Sequence, residues 1–392
     1  MSETQQVNST PRARLKFIDM ARSLAILLML EGHFITQTLA NEYRSEEYTA
    51  YVIWHFVKGV TAPLFFTVTG VVFVYLLTNY PKAGFFKNKR VTKGFKRALE
   101  LLFWGYLLQL NFQNLPNYFQ GNFGDWASAF HVLQSIGLGI AALLIIFGLF
   151  KLLKKVPLAL LYFIAGTTLF AFYPSLKSLP EGYYPFPDWP VLFQNMIKGP
   201  NSPFPIVPWM AFTMYGGMVG AMLNSYYAHV KKLWFPLGFI ALGLSMNFFG
   251  FATFSIIDEI SISMNWISEP QFAKYAWLYG RLGQVIVLLG VLLFIEKYLK
   301  INDNLFLRVG QNTLQIYVVH VIILYGGVFG WGIKTYHSRD LDAWTAIAGA
   351  AAFIAAFVVF VKYLDPLTKI YNKCLRVLFF PIIYPWEKLR SS

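Results

Sequence analysis

The sequence predicts an all-α fold: a polytopic membrane helix bundle of about ten transmembrane helices, with both termini cytoplasmic. Three observations carry this. Of 392 residues, 56% are hydrophobic and 13% charged, and the mean hydropathy is +0.49, whereas soluble domains carry about 25% charged residues. Apolar runs of roughly the 20 residues that a crossing helix needs recur along the chain. Lys and Arg gather in alternate loops.

Taken in order, residues 1–17 are polar and basic (Arg12, Arg14, Lys16) and read as a cytoplasmic leader. The apolar runs then fall near 18–40, 52–78, 98–112, 130–150, 156–173, 205–227, 234–254, 274–297, 311–333 and 343–363. Residues 18–363 thus form the membrane domain, and the third run starts from a basic shoulder. Residues 364–392 read as a basic cytoplasmic tail. Its segment LRVLFFPIIYPW is expected to be an interfacial anchor interrupted by Pro381 and Pro385. The first run is too long for a secretory h-region, so no signal peptide is expected.

The loops orient the bundle. Arg12, Arg14 and Lys16, the basic segment 82–97, Lys151, Lys154, Lys155, Lys231, Lys232, Lys297, Lys300, Arg308 and the tail share one side. The other side holds Arg44, Lys177, Lys198, Lys274, Lys334 and Arg339 together with most acidic loop residues. Excess Lys and Arg mark the cytoplasmic face. The net charge of +14 is therefore a topology signal, and no nucleic-acid partner is expected. Cys374 stands alone, which excludes an internal disulfide and any multi-Cys metal site. No HExxH and no His pair at i,i+4 occurs, so no metal is expected. Segment 82–97 serves either as a lipid-contacting anchor or as a phosphate-binding mouth. The outer segment 174–204, rich in Pro and aromatic residues beside Glu181 and Asp188, fits either a sugar-facing loop or an interfacial belt.

Run 18–40 carries Asp19, Arg22, Glu31 and His33. Such residues at membrane depth cost roughly 2.5–3.5 kcal/mol each on insertion scales and mark function by default. Arg22 and His33 share one helix face, roughly 16 Å apart along the axis, and Glu31 points about 180° away from Arg22. Asp19 can hold Arg22 by an i,i+3 contact. Arg22 can bind phosphate bidentately, and His33 can take a proton near neutral pH. His55 and His131 open the second and fourth runs on the outer side, while His229 and His337 sit in loops. Lys58 and Arg281 also lie within spans, and Tyr317 and His320 share a face at i,i+3. Gly216, Gly217 and Gly220 are expected to permit close helix packing.

The first run, with Asp19, Arg22 and His33 in an Arg-x10-His spacing, resembles the transmembrane acyltransferase superfamily, which holds the acyltransferase-3 O-acetylases and heparan-alpha-glucosaminide N-acetyltransferase. APLFFTVTGVVF (62–73), HVLQSIGLGI (131–140), SPFPIVPWMAFTMYGGMVG (202–220) and NTLQIYVVH (312–320) are similar to further elements of it. Ser23 stands where the family usually has glycine. Heparan-type members carry asparagine at the position of His33 and place a catalytic histidine in the following outer loop. Residues 41–51 hold no histidine, and His55 is the nearest. His33 and His55 are therefore both candidates for the base.

The resemblance implies acetyl transfer from cytoplasmic acetyl-CoA to a sugar hydroxyl or amine of an extracytoplasmic glycan or glycolipid. Arg22, Lys93 and Arg97 would take the CoA phosphates. Asp19, Trp209, Tyr317 and His320 would orient substrate or stabilise the oxyanion. Membrane lipid and the glycan acceptor are the expected partners, the oligomeric state is left open with a dimer included, and a bacterial inner membrane is the expected location. The competing class is a transporter or flippase of an anionic or sugar-linked substrate, since intramembrane Arg and His also serve such pathways.

Overall fold

The computed structural model describes residues 14–79, 84–122, 124–153, 155–180, 183, 185–199, 201–299, 301–302 and 304–390, with side chains to residue 366 except at 124 and 125. The described residues form helices and no strand; one isolated bridge joins Leu39 to Leu341. The long helices are α1 (Lys16–Thr38), α2 (Thr49–Leu77), α3 (Lys89–Leu107), α4 (Val132–Leu153), α5 (Leu158–Lys177), α6 (Ile206–Ser225), α7 (Trp234–Ser263) and α8 (Trp277–Tyr298). A bent pair follows, α9 (Leu305–Gln311) and α10 (Thr313–Tyr325), and then α11 (Ala343–Arg390). Seven described helices are long and apolar enough to cross a membrane, and α9 with α10, bent by 80°, makes an eighth if counted as one broken span. α1 and α3 have comparable length, 23 and 19 residues, but bear ionisable side chains along it.

α3 departs from the expected 98–112. The side chain of Asn88 accepts the N–H of Arg90 at 2.9 Å and starts the helix at Lys89. The basic shoulder is amphipathic, with Val91, Gly94, Ala98 and Leu101 buried, so it folds as helix rather than loop. Lys82 lies outside the described residues. The backbone of α11 continues as helix through Pro381 and Pro385, where the sequence suggests an interruption. In segment 174–204, α5 extends through Pro174 to Lys177 and a short helix spans Val191–Ile197. Glu181 lies outside the described residues.

α1 is the hub and packs against α2, α8, α9, α10 and α11. Its first turn has no side-chain cap of its own. The Glu296 carboxylate of α8 accepts the N–H groups of Lys16 and Phe17 at 3.0 and 2.7 Å instead. Two donors that a helix start leaves open are thus satisfied by a negative charge at the positive end of the helix dipole.

Close packing in lipid comes from small residues, because no hydrophobic gain separates one apolar helix from another. α2 and α6 form the most extensive pair. There a methyl on Gly216 would collide with the Thr67 carbonyl, and one on Gly70 with the Thr213 carbonyl. α1 meets α9 where Gly310 lies on Ser23: the Gly310 N–H donates to Ser23 Oγ at 2.9 Å, and Ser23 Oγ donates to the Phe306 carbonyl at 2.5 Å. Gly243 and Gly283 make the same kind of crossing between α7 and α8. Gly216→Val should therefore lower folding stability by about 1–3 kcal/mol through forced helix separation. Thermal unfolding in detergent would show this as a lowered midpoint, and an unchanged midpoint would refute the crossing.

Candidate functional site

A cavity of about 640 Å³ lies at the end of the bundle away from the basic loops. α1 contributes Met29, Gly32, His33 and Gln37 to its lining, and α2 contributes Lys58, Thr61, Ala62 and Phe65. Gly105 and Gln109 line it at the end of α3, and His131 and Gln134 at the start of α4. Tyr317 and Tyr325 come from α10, Phe204 from the approach to α6, and Gly327, Gly330 and Lys334 from the loop after α10. Gly326 ends α10 at φ +90°, a left-handed cap that a glycine adopts without strain, and turns the chain over the cavity.

His33 and His320 meet at this cavity. His33 Nδ1 and His320 Nε2 are 3.0 Å apart, and their ring centroids 5.2 Å. Two neutral imidazoles in this arrangement share one proton, so one ring donates and the other accepts. His320 Nδ1 has no hydrogen-bond partner among the described residues. When His33 Nδ1 is the donor, His320 Nε2 accepts and the lone pair of His33 Nε2 is free. The Tyr325 ring stands edge-on to His33 at 5.9 Å, and the Tyr317 ring edge-on to His320 at 4.8 Å. Lys58 and His131 are the charged or titratable neighbours that act on His33. Lys58 Nζ lies 5.1 Å from the Trp54 ring, whose indole N–H donates to Glu31 at 2.6 Å. Glu31, on the opposite face from Arg22, is thereby tied to α2.

The other predicted cluster sits near the basic-loop end. Asp19 is held by Arg14, whose Nε lies 2.6 Å away, and Arg22 approaches it at 3.6 Å. Arg22 also reaches Thr313 Oγ1 at 3.4 Å and feels the charge of Arg97 on α3. Arg97 pairs with Glu100 at 2.9 Å, and Lys93, one turn earlier, is exposed. α1, α3 and α10 therefore frame both the Arg22 cluster and the cavity at His33.

Two predicted residues lie elsewhere. His55 is exposed, stacks on Tyr51 at 5.9 Å and does not line the cavity. Trp209 packs among Phe66, Phe204 and Phe212; Phe204 lines the cavity and Trp209 does not. Arg281, which needed a partner inside its span, donates to the Phe56 carbonyl and to Gln284, each at 3.0 Å. Among the described residues of segment 174–204, only Pro203 and Phe204 line the cavity; Asp188 is exposed. Sequence reasoning left Thr61, Gln109, Gln134 and Tyr325 out of the site. The one available signal was Gln134, three residues after His131 in HVLQSIGLGI. Among the described residues, no group of three His, Cys, Asp or Glu converges as a metal site.

A sequence profile for the catalytic domain of heparan-alpha-glucosaminide N-acetyltransferase matches residues 14–250. No curated protein matches the chain. The matched stretch contains Asp19, Arg22, His33, Arg97 and Gln134 and ends inside α7, so Tyr317 and His320 lie beyond it. With more than half of its length matched and an apolar helical body around the site, the chain is an integral membrane protein of the acyltransferase class and belongs to the heparan-alpha-glucosaminide N-acetyltransferase catalytic family.

Proposed function

We propose that the protein moves an acetyl group from cytoplasmic acetyl-CoA to an amine or hydroxyl of an extracytoplasmic glycan or glycolipid. The observation that carries this reading is the position of His33 on the cavity, paired to His320, on the same three helices that frame Arg22. The distribution of Lys and Arg supports placing the Arg22 end in the cytoplasm, and a bacterial inner membrane fits that orientation.

Each residue has a task in this scheme. Arg22 and Arg97, with Lys93 a turn below, present cations to the CoA phosphates, and Asp19 lies 3.6 Å from the Arg22 guanidinium, close enough to orient it loosely. The slender pantetheine arm would follow the α1 face over the roughly 16 Å that separate Arg22 from His33. His33 Nε2 removes the proton of the acceptor N–H or O–H as the nitrogen or oxygen bonds to the acetyl carbon. The C–S bond then breaks, the CoA sulfur leaves with its electron pair, and the His33 imidazolium returns the proton to it. His320 is a positioning residue that holds the tautomer of His33. The Tyr317 hydroxyl at the cavity wall supplies a donor for the developing oxyanion.

The test uses the purified full chain with acetyl-CoA and a glucosaminide, with release of free CoA thiol as the readout. His33→Ala should lower kcat by about 10²–10⁴-fold, the range for a lost general base, while His55→Ala leaves it within about twofold. A His33→Ala protein with the wild-type rate, or a His55→Ala protein without activity, would sink the assignment. Arg22→Gln should raise KM for acetyl-CoA by about 10–100-fold, as expected for a lost charge-assisted contact, with a smaller effect on kcat. Labelled glycan crossing proteoliposomes while acetyl-CoA stays intact would instead establish the transporter reading.

A further inference from the structure

Arg281 is a charge that the fold leaves without a counterion. It sits on α8, about 6 Å along the axis from Trp277, which opens that helix at the end of the bundle away from the basic loops. Its Nη1 donates to the Phe56 carbonyl of α2 and to Gln284 Oε1, each at 3.0 Å, and both acceptors are neutral. No carboxylate among the described residues pairs with Arg281 or acts on its charge. The acidic groups between α7 and α8 are engaged elsewhere. Asp258 accepts the N–H groups of Gln271, Phe272 and Ala273, and Glu269 faces Lys274. A guanidinium stays charged at any working pH, so at membrane depth it calls for an anion from outside the chain.

The group is nevertheless held in one place. Gln284 Nε2 donates to Asn247 Oδ1 at 3.2 Å, and Asn247 Nδ2 donates to the Gly243 carbonyl at 2.8 Å. A chain of neutral hydrogen bonds thus runs from α7 through α8 and ends at Arg281. The guanidinium lies against Gly59, where an added methyl would stand 2.5 Å from Nη2, and beside the Phe56 ring, 4.9 Å from Cζ. Nη1 is engaged with protein. Nε and Nη2 have no hydrogen-bond partner among the described residues, and both keep surface open to the surroundings.

The surroundings select the anion. Ile53, Phe56 and Val57 on α2 and Leu244, Phe248 and Phe251 on α7, around Asn247, are exposed apolar side chains. α8 packs against both helices. A helical side chain leans toward the N-terminus of its helix, so Arg281 reaches toward the interface that Trp277 marks. Two phosphate oxygens match the free edge of a guanidinium bidentately. A free phosphate would leave the apolar faces bare, whereas acyl chains cover them. A zwitterionic lipid brings a cation of its own, and no acidic side chain beside Arg281 receives it. We propose that Arg281 and the groove over α8 between α2 and α7 bind an anionic phospholipid of the leaflet opposite the basic loops. Its phosphodiester rests on Nε and Nη2, and its acyl chains run along α2 and α7. The site stands apart from the cavity at His33 and does not depend on the acetyl-transfer reading.

Lipid counting tests the site. The full-length protein is reconstituted in phosphatidylcholine nanodiscs with rising fractions of phosphatidylglycerol, and the lipids that stay bound are counted by native mass spectrometry. Basic loops on the other face also attract phosphatidylglycerol, so the readout is the difference between variants. At low fractions the wild type should keep one phosphatidylglycerol more than Arg281→Gln, and the fraction that fills this site should rise at least about tenfold in the variant, as for a lost charge-assisted contact. Arg281→Lys keeps the charge without the fork and should fall between the two. Gly59→Ala displaces only the flexible end of Arg281 and should weaken the site several-fold, and it decides alone where Arg281→Gln does not fold. Glycerol phosphate should not displace the lipid. Equal counts in the wild type and folded Arg281→Gln, wild-type affinity in Gly59→Ala, or phosphatidylcholine filling the site as well as phosphatidylglycerol would overturn the proposal. Displacement by glycerol phosphate would overturn it too, by assigning Arg281 to a soluble phosphate instead of a lipid.

Discussion

The hydrogen bond between His33 and His320 joins the first helix to the later half of a bent span, and the rest of the site depends on it. Its length of 3.0 Å requires α10 to stand close against α1. That approach is set lower down, where α9 crosses α1 with Gly310 on Ser23. No side chain larger than hydrogen fits at Gly310, because the backbone of Asp19 and the Ser23 hydroxyl occupy the space. The 80° bend between α9 and α10 then sends α10 along α1 toward the cavity. Ser23, the departure from the glycine usual in the family, is accommodated by the same crossing: its hydroxyl takes the Gly310 N–H and gives its own proton to backbone carbonyls.

Each ionisable residue of α1 is answered by a partner on another element or a neighbouring turn, which is how a costly helix persists among apolar ones. Asp19 has Arg14 and Arg22, Glu31 has the Trp54 indole, and His33 has His320. Of these groups Arg22 is held most loosely, at 3.6 Å from Asp19 and 3.4 Å from Thr313. A guanidinium with weak internal contacts beside a second cation, Arg97, keeps its binding capacity for an outside anion. The two ends of α1 thus differ in kind, a cationic cluster at one and an imidazole pair at the other, and a substrate with phosphates at one end and a reacting carbonyl at the other matches both.

What could be read from sequence was whatever is local in the chain. The apolar runs placed the long helices, and the Arg22–His33 and Tyr317–His320 spacings gave shared faces because helical periodicity needs no tertiary information. The start of α3 was misplaced since its basic shoulder hides an amphipathic stripe of small and apolar residues capped by Asn88. Contacts between distant segments were out of reach. Nothing in the order of residues says that His33 and His320 meet, that Glu296 caps α1, or that His55 turns away from the cavity. Gln134 carried a signal, three residues after His131, but a weak one: a glutamine in an apolar helix reads as an ordinary polar interruption until the unpaired state of its amide is known.

The family match ends inside α7, yet the imidazole pair needs α10. The matched region therefore describes one half of the site, and the late helix completes it. This bears on the asparagine that heparan-type members carry where this chain has His33. An asparagine amide there can hydrogen-bond a partner on α10 but cannot accept and release a proton in the working range, so such a chain needs its base elsewhere, in the loop that follows. In the proposed scheme a histidine at the same position does both jobs from one ring, donating through Nδ1 and taking a proton on Nε2. Residues 41–51 of this chain carry no histidine, and the next one, His55, is exposed away from the cavity. Under the proposed acetyl transfer, the histidine at position 33 and the absence of one in residues 41–51 are two sides of one arrangement, in which the base lies on the helix that also carries Arg22.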